Sequence, residues 1–129
     1  MNQKNIFSAI AVVLILQGIA FWIMGGKMAN DTFPGLDATG LSAMTNILQV
    51  MSALSILIGI VAWANRSTPN IAGAYTIGSL ILLCVTMKHL LIDHINVPVF
   101  AWVIQVLIVL SCAYLWLGKK GVYSLSSGT

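Results

Sequence analysis

One stretch of the sequence, residues 86–98, holds most of the side chains that could serve a site. It contains Lys88, His89, Asp93 and His94, and so both histidines of a protein that is only 7% charged. On a helix His89 and Asp93 are spaced i, i+4 and could share a hydrogen bond or a metal ion, whereas His94 would point about 100° away from Asp93. The sequence has no HxxxH, CxxC or HExxH pattern, so we favour a hydrogen bond between His89 and Asp93 over a metal site.

The motifs of common enzymes are missing from the sequence. It has no Ser-His-Asp or Cys-His arrangement that can be placed, no glycine-rich phosphate loop and no carboxylate inside a long apolar stretch. We therefore expect no enzymatic activity. The first apolar stretch has Gln17 where a small multidrug transporter would carry an acidic residue, which argues against that class of transporter.

Four long apolar stretches must position these residues. The chain of 129 residues is 59% hydrophobic, with a mean hydropathy of +0.97, which is too apolar for a soluble domain. A helix needs about 20 apolar residues to cross the hydrocarbon core. The sequence therefore predicts an all-α membrane protein, a single domain over 1–129 built as a four-transmembrane-helix bundle. Its spans are expected at about 6–26, 41–64, 71–92 and 97–118.

The basic residues predict the orientation of the spans. Four of the six fall on one side of the membrane: Lys4, Arg66, Lys119 and Lys120. Lys27 and Lys88 fall on the other side with the three aspartates. By the positive-inside rule both termini are cytoplasmic, in a bacterial inner membrane. We expect Lys88, like Arg66 and the Lys119-Lys120 pair, to lie near lipid headgroups. This distribution accounts for the net charge of +3, so no nucleic-acid partner is expected.

Two pairs of residues predict where helices end. Gly25-Gly26 is expected to break the first helix, which leaves 27–40 as the longest loop. Lys119-Lys120 is expected to stop the fourth helix, followed by a short frayed tail over 124–129. Pro98 is expected to start the fourth span.

Three spans carry a stripe of small or polar residues at helical spacing. The stripes are Thr45, Gln49, Ser52, Ser55, Gly59 and Ala62; then Ala72, Thr76, Ser79, Leu83 and Thr86, continuing to His89 and Asp93; then Ala101, Gln105, Ile108 and Cys112. In lipid, helices associate through close approach at small residues and through interhelical hydrogen bonds. We expect these faces to point toward other helices.

The predicted depths bring the polar residues of the spans together in the outer half of the membrane. This candidate polar cluster consists of Gln17, Gln49, His89, Asp93 and Gln105. Polar groups in hydrocarbon are unfavourable unless paired, so they should face one another. Interhelical hydrogen bonds are the first interpretation. The alternatives are a pocket for a quinone-type ligand or lipid, open to the outer leaflet, and a proton or metal role.

Lys88, Asp93 and Pro98, together with the four-span layout, resemble the DoxX-like bacterial membrane family known as domain of unknown function 4345. Members tend to end the third span with a basic residue, followed by aliphatics, an Asp and a Pro. They carry an acidic residue in the fourth span, where this chain has Gln105, and this chain has Lys88 in place of an arginine. The resemblance implies a four-span fold and no particular activity.

Three functions are compatible with these observations. The first is a non-enzymatic accessory or scaffold subunit that packs against a membrane-protein partner and needs no cofactor. The second is a protein that binds a lipophilic ligand or quinone in the candidate polar cluster. The third is a small homo-oligomeric transporter or channel.

Overall fold

The computed structural model describes residues 2–68, 70–92 and 99–126, with the backbone alone from residue 119 onward. These residues form four α-helices and no strand: α1 (Gln3–Thr32), α2 (Ala38–Ala64), α3 (Ile71–Leu91) and α4 (Val99–Ser126). All four are long and apolar enough to span a membrane, which confirms the predicted all-α chain. Helices are favoured because hydrocarbon offers no partner to a free backbone N–H or C=O group.

The first compact unit, Met1–Ser67, is a hairpin of α1 and α2. The two helices run antiparallel, since Gly18 lies beside Ser52 and Gly59 lies beside Ala11. Glycine allows this close approach because it has no Cβ between the two backbones. The hairpin is therefore held along its length by contacts at small residues.

The second compact unit, Thr68–Thr129, contains α3 and α4. Gly73, near the start of α3, lies against the ring of Trp116, late in α4, so these helices are antiparallel as well. Each unit is thus a helical hairpin. That both hairpins form one four-helix bundle and a single domain stays a prediction.

The faces that the sequence predicts to point toward other helices are the buried ones. The buried residues of these stripes are Ser52, Gly59 and Ala62 on α2, Ala72, Thr76 and Thr86 on α3, and Ala101, Ile108 and Cys112 on α4. Large aliphatic side chains cover the other faces and are exposed, among them Leu57, Ile81 and Leu110. This is the pattern expected where lipid is the solvent.

The prediction that Gly25-Gly26 breaks the first helix is wrong. α1 continues through both glycines to Thr32. A glycine inside a helix costs about 1 kcal/mol relative to alanine, but Gly25 packs on Leu48 of α2 and Gly26 lies beside Thr45. Packing against α2 and the need to pair backbone groups in lipid outweigh the low helix propensity.

The predicted loop over 27–40 is correspondingly shorter. Only residues 33–37 connect α1 to α2. Gly35 adopts φ +98°, a left-handed conformation that glycine tolerates. Asp37 then caps α2, with its Oδ1 accepting a hydrogen bond from the Gly40 backbone N–H at 2.7 Å. The cap starts α2 at Ala38 instead of residue 41.

The prediction that Lys119-Lys120 stops the fourth helix is also wrong. α4 continues through both lysines to Ser126. Lysine is a good helix former, so the end of the apolar segment does not require the end of the helix. Residues 127–129 of the predicted tail, and Pro98 at the predicted start of span four, lie outside the described residues.

Candidate functional site

Two members of the candidate polar cluster lie in the first hairpin, on different helices. Gln17 is on α1 and Gln49 is on α2, and both are half-buried. Residues 18 and 25 of α1 lie beside residues 52–56 and 45–48 of α2, so Gln49 is level with the part of α1 near residue 23. The two amides are therefore separated by about 9 Å along the hairpin axis.

His89 and Lys88 lie in the last turn of α3. His89 is half-buried and Lys88 is exposed, as expected for neighbours on different sides of the helix. Asp93 and His94 lie outside the described residues. The hydrogen bond between His89 and Asp93, and the metal site considered as its alternative, stay predictions.

Gln105 of α4 is half-buried, but its side-chain oxygen is not. Oε1 is fully buried and accepts no hydrogen bond from the part of the chain that the structure describes. An unpaired carbonyl oxygen inside a protein costs about 1–3 kcal/mol. Gln105 therefore contributes a buried oxygen that has no donor among the described residues. Whether the five residues of the cluster converge stays a prediction, because they belong to two hairpins and Asp93 is not described.

The hydroxyl groups of the stripes bond mainly within their own helices. Each of four hydroxyls donates to the carbonyl four residues earlier: Thr45 to Leu41, Ser52 to Leu48, Thr76 to Ala72 and Thr86 to Leu82, at 2.7–3.0 Å. Ser55 differs, since its Oγ donates to the Leu14 carbonyl of α1 at 3.1 Å. The predicted interhelical hydrogen bond is thus found at Ser55. The four hydroxyls of Thr45, Ser52, Thr76 and Thr86 are paired without help from a neighbouring helix.

The glycines of the spans differ in what covers them. A Cβ on Gly18 would lie 2.6 Å from Ile56, one on Gly59 would lie 2.8 Å from Ile15, and one on Gly73 would lie 3.0 Å from Trp116. Gly78, in the middle of α3, is exposed, and no described atom lies within 4 Å of the position of its Cβ. Ala74, one turn earlier, is exposed too. This Ala74–Gly78 face of α3 consists of small residues and is not covered by α4.

The opposite end of the first hairpin from the 33–37 connection holds a separate polar group of residues around Arg66. The guanidinium carbon of Arg66 lies 4.3 Å from the centroid of the Trp63 ring. Its Nη1 donates to the Trp63 carbonyl at 2.7 Å. The side chain of Gln3, in the first turn of α1, donates to the Arg66 carbonyl at 3.2 Å. Arg66 is thereby fixed between the beginning of α1 and the end of α2.

The described residues contain no group of three or more His, Cys, Asp or Glu side chains that could hold a metal ion. Cys84 is exposed, Cys112 is buried, and both are free thiols. The side chains of Lys119 and Lys120 lie outside what is described, so their contact with lipid headgroups stays a prediction.

Two features of the structure were not identified from the sequence, the Ala74–Gly78 face and the contact between Trp63 and Arg66. The Ala74-x-x-x-Gly78 spacing was a sign of a second small face on α3, turned away from the stripe through Thr76. The i, i+3 spacing of Trp63 and Arg66 was a sign that ring and guanidinium lie close together. Both signals are present in the sequence, but the longer stripes predict only the buried faces.

Comparisons of the chain with protein-family models, with curated proteins and with solved structures each find no match.

Proposed function

We propose that this protein is a non-enzymatic accessory or scaffold subunit of a membrane assembly, which packs against a partner membrane protein or a second copy of itself. The observation that carries this proposal is the open space at Gly78. In the middle of a span, a glycine is useful where another helix comes close. Since α4, the other helix of this hairpin, does not fill that space, the space is open to a helix from outside the hairpin, which we assign to another molecule.

The pairing of the hydroxyls supports a packing role over a ligand site. Ser52, Thr76 and Thr86 are buried and donate to carbonyls of their own helices. Hydroxyls used in this way present a small surface for helix contact, and their O–H donors are already engaged and do not point to a ligand. No more than 28% of any spanning window is buried, so much of each helix remains for lipid or for a partner.

The test is the substitution Gly78→Leu, because a leucine at an open position leaves the α3–α4 contact intact and blocks close approach from outside. Gly118→Leu is the matched control, since Gly118 is equally open but lies at the end of the apolar segment. Protein purified in mild detergent is analysed for co-purifying subunits and for its mass in solution. Gly78→Leu should lose the partner or the self-association, and Gly118→Leu should keep it. A monomer without partners in the unaltered protein would contradict the proposal.

The second candidate function, binding of a lipophilic ligand such as a quinone or a lipid, is favoured by one observation. Gln105 Oε1 is buried and has no donor among the residues that the structure describes, and a hydroxyl group of a quinol-type ligand would supply one. Extraction of the purified protein with organic solvent and chromatography of the extract tests this candidate. A stoichiometric lipophilic molecule that is lost in Gln105→Leu would favour it over the scaffold role.

The orientation proposed for the chain follows from its cations. Lys4 and Arg66 lie at one end of the first hairpin, which we assign to the cytoplasmic side of a bacterial inner membrane together with both termini. Membership of the DoxX-like family is proposed on the residues around Lys88 and adds no activity. For a small homo-oligomeric transporter or channel, the described residues offer the Gly78 face as a contact between copies, and the proposal of transport itself stays a prediction from the sequence.

A further inference from the structure

We propose that the first hairpin binds the headgroup phosphate of an anionic phospholipid at Arg66, beside Trp63 and next to the start of α1. We call this the Arg66 site. It is distinct from the candidate polar cluster and does not depend on the accessory role. Its elements are a fixed guanidinium, an exposed indole ring and a hairpin end without carboxylates.

The guanidinium of Arg66 is held in place by neighbouring groups. It stacks over the Trp63 ring at 4.3 Å, and one of its nitrogens donates to the Trp63 carbonyl at 2.7 Å. A guanidinium has five N–H donors, so most remain at the edge of the plane for another acceptor. A planar guanidinium matches two phosphate oxygens with parallel hydrogen bonds. Because the group is already fixed, binding would immobilise little additional side-chain freedom.

The backbone around Arg66 is fixed as well. Gln3 donates to the Arg66 carbonyl at 3.2 Å, which ties the residue to the first turn of α1. Asn2 caps that turn, and its side chain accepts a hydrogen bond from the Lys4 backbone N–H at 3.3 Å. The positive end of the α1 dipole thus lies close to Arg66, and the first turn contains no acidic residue.

The charges of the first hairpin favour an anion at this end. Lys4 is exposed in the first turn of α1. The two carboxylates of the hairpin, Asp31 and Asp37, lie near the 33–37 connection at its other end. Asp31 is 28 residues from Gln3 along α1, or about 40 Å at the helical rise. Arg66 and Lys4 therefore have no carboxylate of this hairpin nearby to compete with a lipid phosphate.

Trp63 places the site at the depth of lipid headgroups. Its side chain is 47% exposed, and it is the second-last residue of α2. Tryptophan is enriched at the membrane interface, where the ring contacts acyl chains and the polar end reaches the headgroups. A phosphate bound at Arg66 would therefore belong to a lipid whose chains continue along the hairpin surface. This depth favours a phospholipid over free phosphate as the occupant.

The experiment is native mass spectrometry of the full chain in detergent with added phosphatidylglycerol or phosphatidylcholine of the same acyl chains. A basic residue near an anionic lipid surface is worth roughly 1 kcal/mol, which corresponds to about a fivefold change in binding. We expect the unaltered protein to prefer phosphatidylglycerol and Arg66→Gln to lose about fivefold of that preference. Lys27→Gln removes a cation from the other end of the hairpin and should leave the preference unchanged.

Arg66→Lys separates a built site from attraction by charge alone. It keeps the charge but loses the paired donors and the stacking on Trp63, so its preference for phosphatidylglycerol should fall between those of the unaltered protein and Arg66→Gln. Lipid binding to Arg66→Lys at the unaltered level would overturn the proposal, as would equal loss in Lys27→Gln or displacement of the lipid by millimolar inorganic phosphate. Circular dichroism checks that each variant folds. Should the Arg66 variants not fold, Trp63→Leu takes their place, and unchanged lipid preference there would equally overturn it.

Discussion

A Cβ atom on Gly18 would lie 2.7 Å from the carbonyl oxygen of Ser52, which places the backbones of α1 and α2 in direct contact at this point. Gly59 makes the corresponding contact in the other direction, since its Cβ would lie 3.0 Å from the Ala11 carbonyl. The two glycines are on different helices of the same hairpin. Each helix therefore provides the gap into which the other one fits.

Gly18→Ala should destabilise the first hairpin. The new methyl group would overlap with a backbone carbonyl oxygen. Because a helical carbonyl cannot change its conformation as a side chain can, the two helices must separate. Overpacking of this kind costs about 1–3 kcal/mol. Unfolding by sodium dodecyl sulfate in mixed micelles, followed by circular dichroism, measures the change. Gly78→Ala is the control, because the same methyl group enters open space there and should not destabilise. Equal effects of both substitutions would show that helix propensity, and not contact, decides the outcome.

Ser55→Ala should cost more stability than Ser52→Ala, although Ser52 is the more buried of the two. The Ser55 hydroxyl joins the helices through the Leu14 carbonyl, and such interhelical bonds contribute on average about 0.6 kcal/mol in a membrane protein. The Ser52 hydroxyl donates to the Leu48 carbonyl of its own helix and does not join the two helices. The same micelle titration compares the two variants. A larger loss for Ser52→Ala would mean that shape at this contact matters more than the hydrogen bond.

The predicted buried faces of α2, α3 and α4 were correct because their cause is local. Small residues spaced three and four apart, such as Ser52, Ser55 and Gly59, share one side of any helix, and close helix contact in lipid selects that side. The number of spans was equally predictable, since the thickness of the hydrocarbon core sets a minimum apolar length.

The ends of helices and the pairing of polar groups were less predictable. Gly25 and Gly26 looked like breakers because propensity is a local quantity, whereas the packing against Leu48 and Thr45 that keeps α1 continuous is not. The same holds for the hydroxyls, since sequence spacing does not show whether Thr76 donates within its helix or across it. The candidate polar cluster depends on how two hairpins meet, which a single sequence does not encode in any local pattern.

Asp37→Ala should shorten or destabilise the start of α2. The Oδ1 of Asp37 accepts a hydrogen bond from the Gly40 N–H at 2.7 Å, and loss of such a cap costs about 1 kcal/mol. Asp37→Asn keeps an acceptor at the same place and should retain most of the stability. Amide hydrogen exchange of residues 38–41 is the measurement, with faster exchange expected for the alanine variant alone. Faster exchange in both variants would assign the effect to the charge of Asp37 instead of its hydrogen bond.

Gln105→Met should stabilise the second hairpin in protein freed of lipophilic molecules. Methionine has nearly the same shape as glutamine and removes the buried Oε1 that accepts no hydrogen bond from the described residues. A buried acceptor without a donor costs about 1–3 kcal/mol. The free energy of unfolding, measured by titration with sodium dodecyl sulfate, should therefore rise by on the order of 1 kcal/mol. Gln17→Met is the control, since Gln17 is half-buried without such a buried, unpaired atom and should change little. If Gln105→Met instead destabilises the protein, Oε1 has a donor in solution. Addition of a quinol to the unaltered protein then identifies that donor: a rise in stability indicates the ligand, and no change indicates the chain itself.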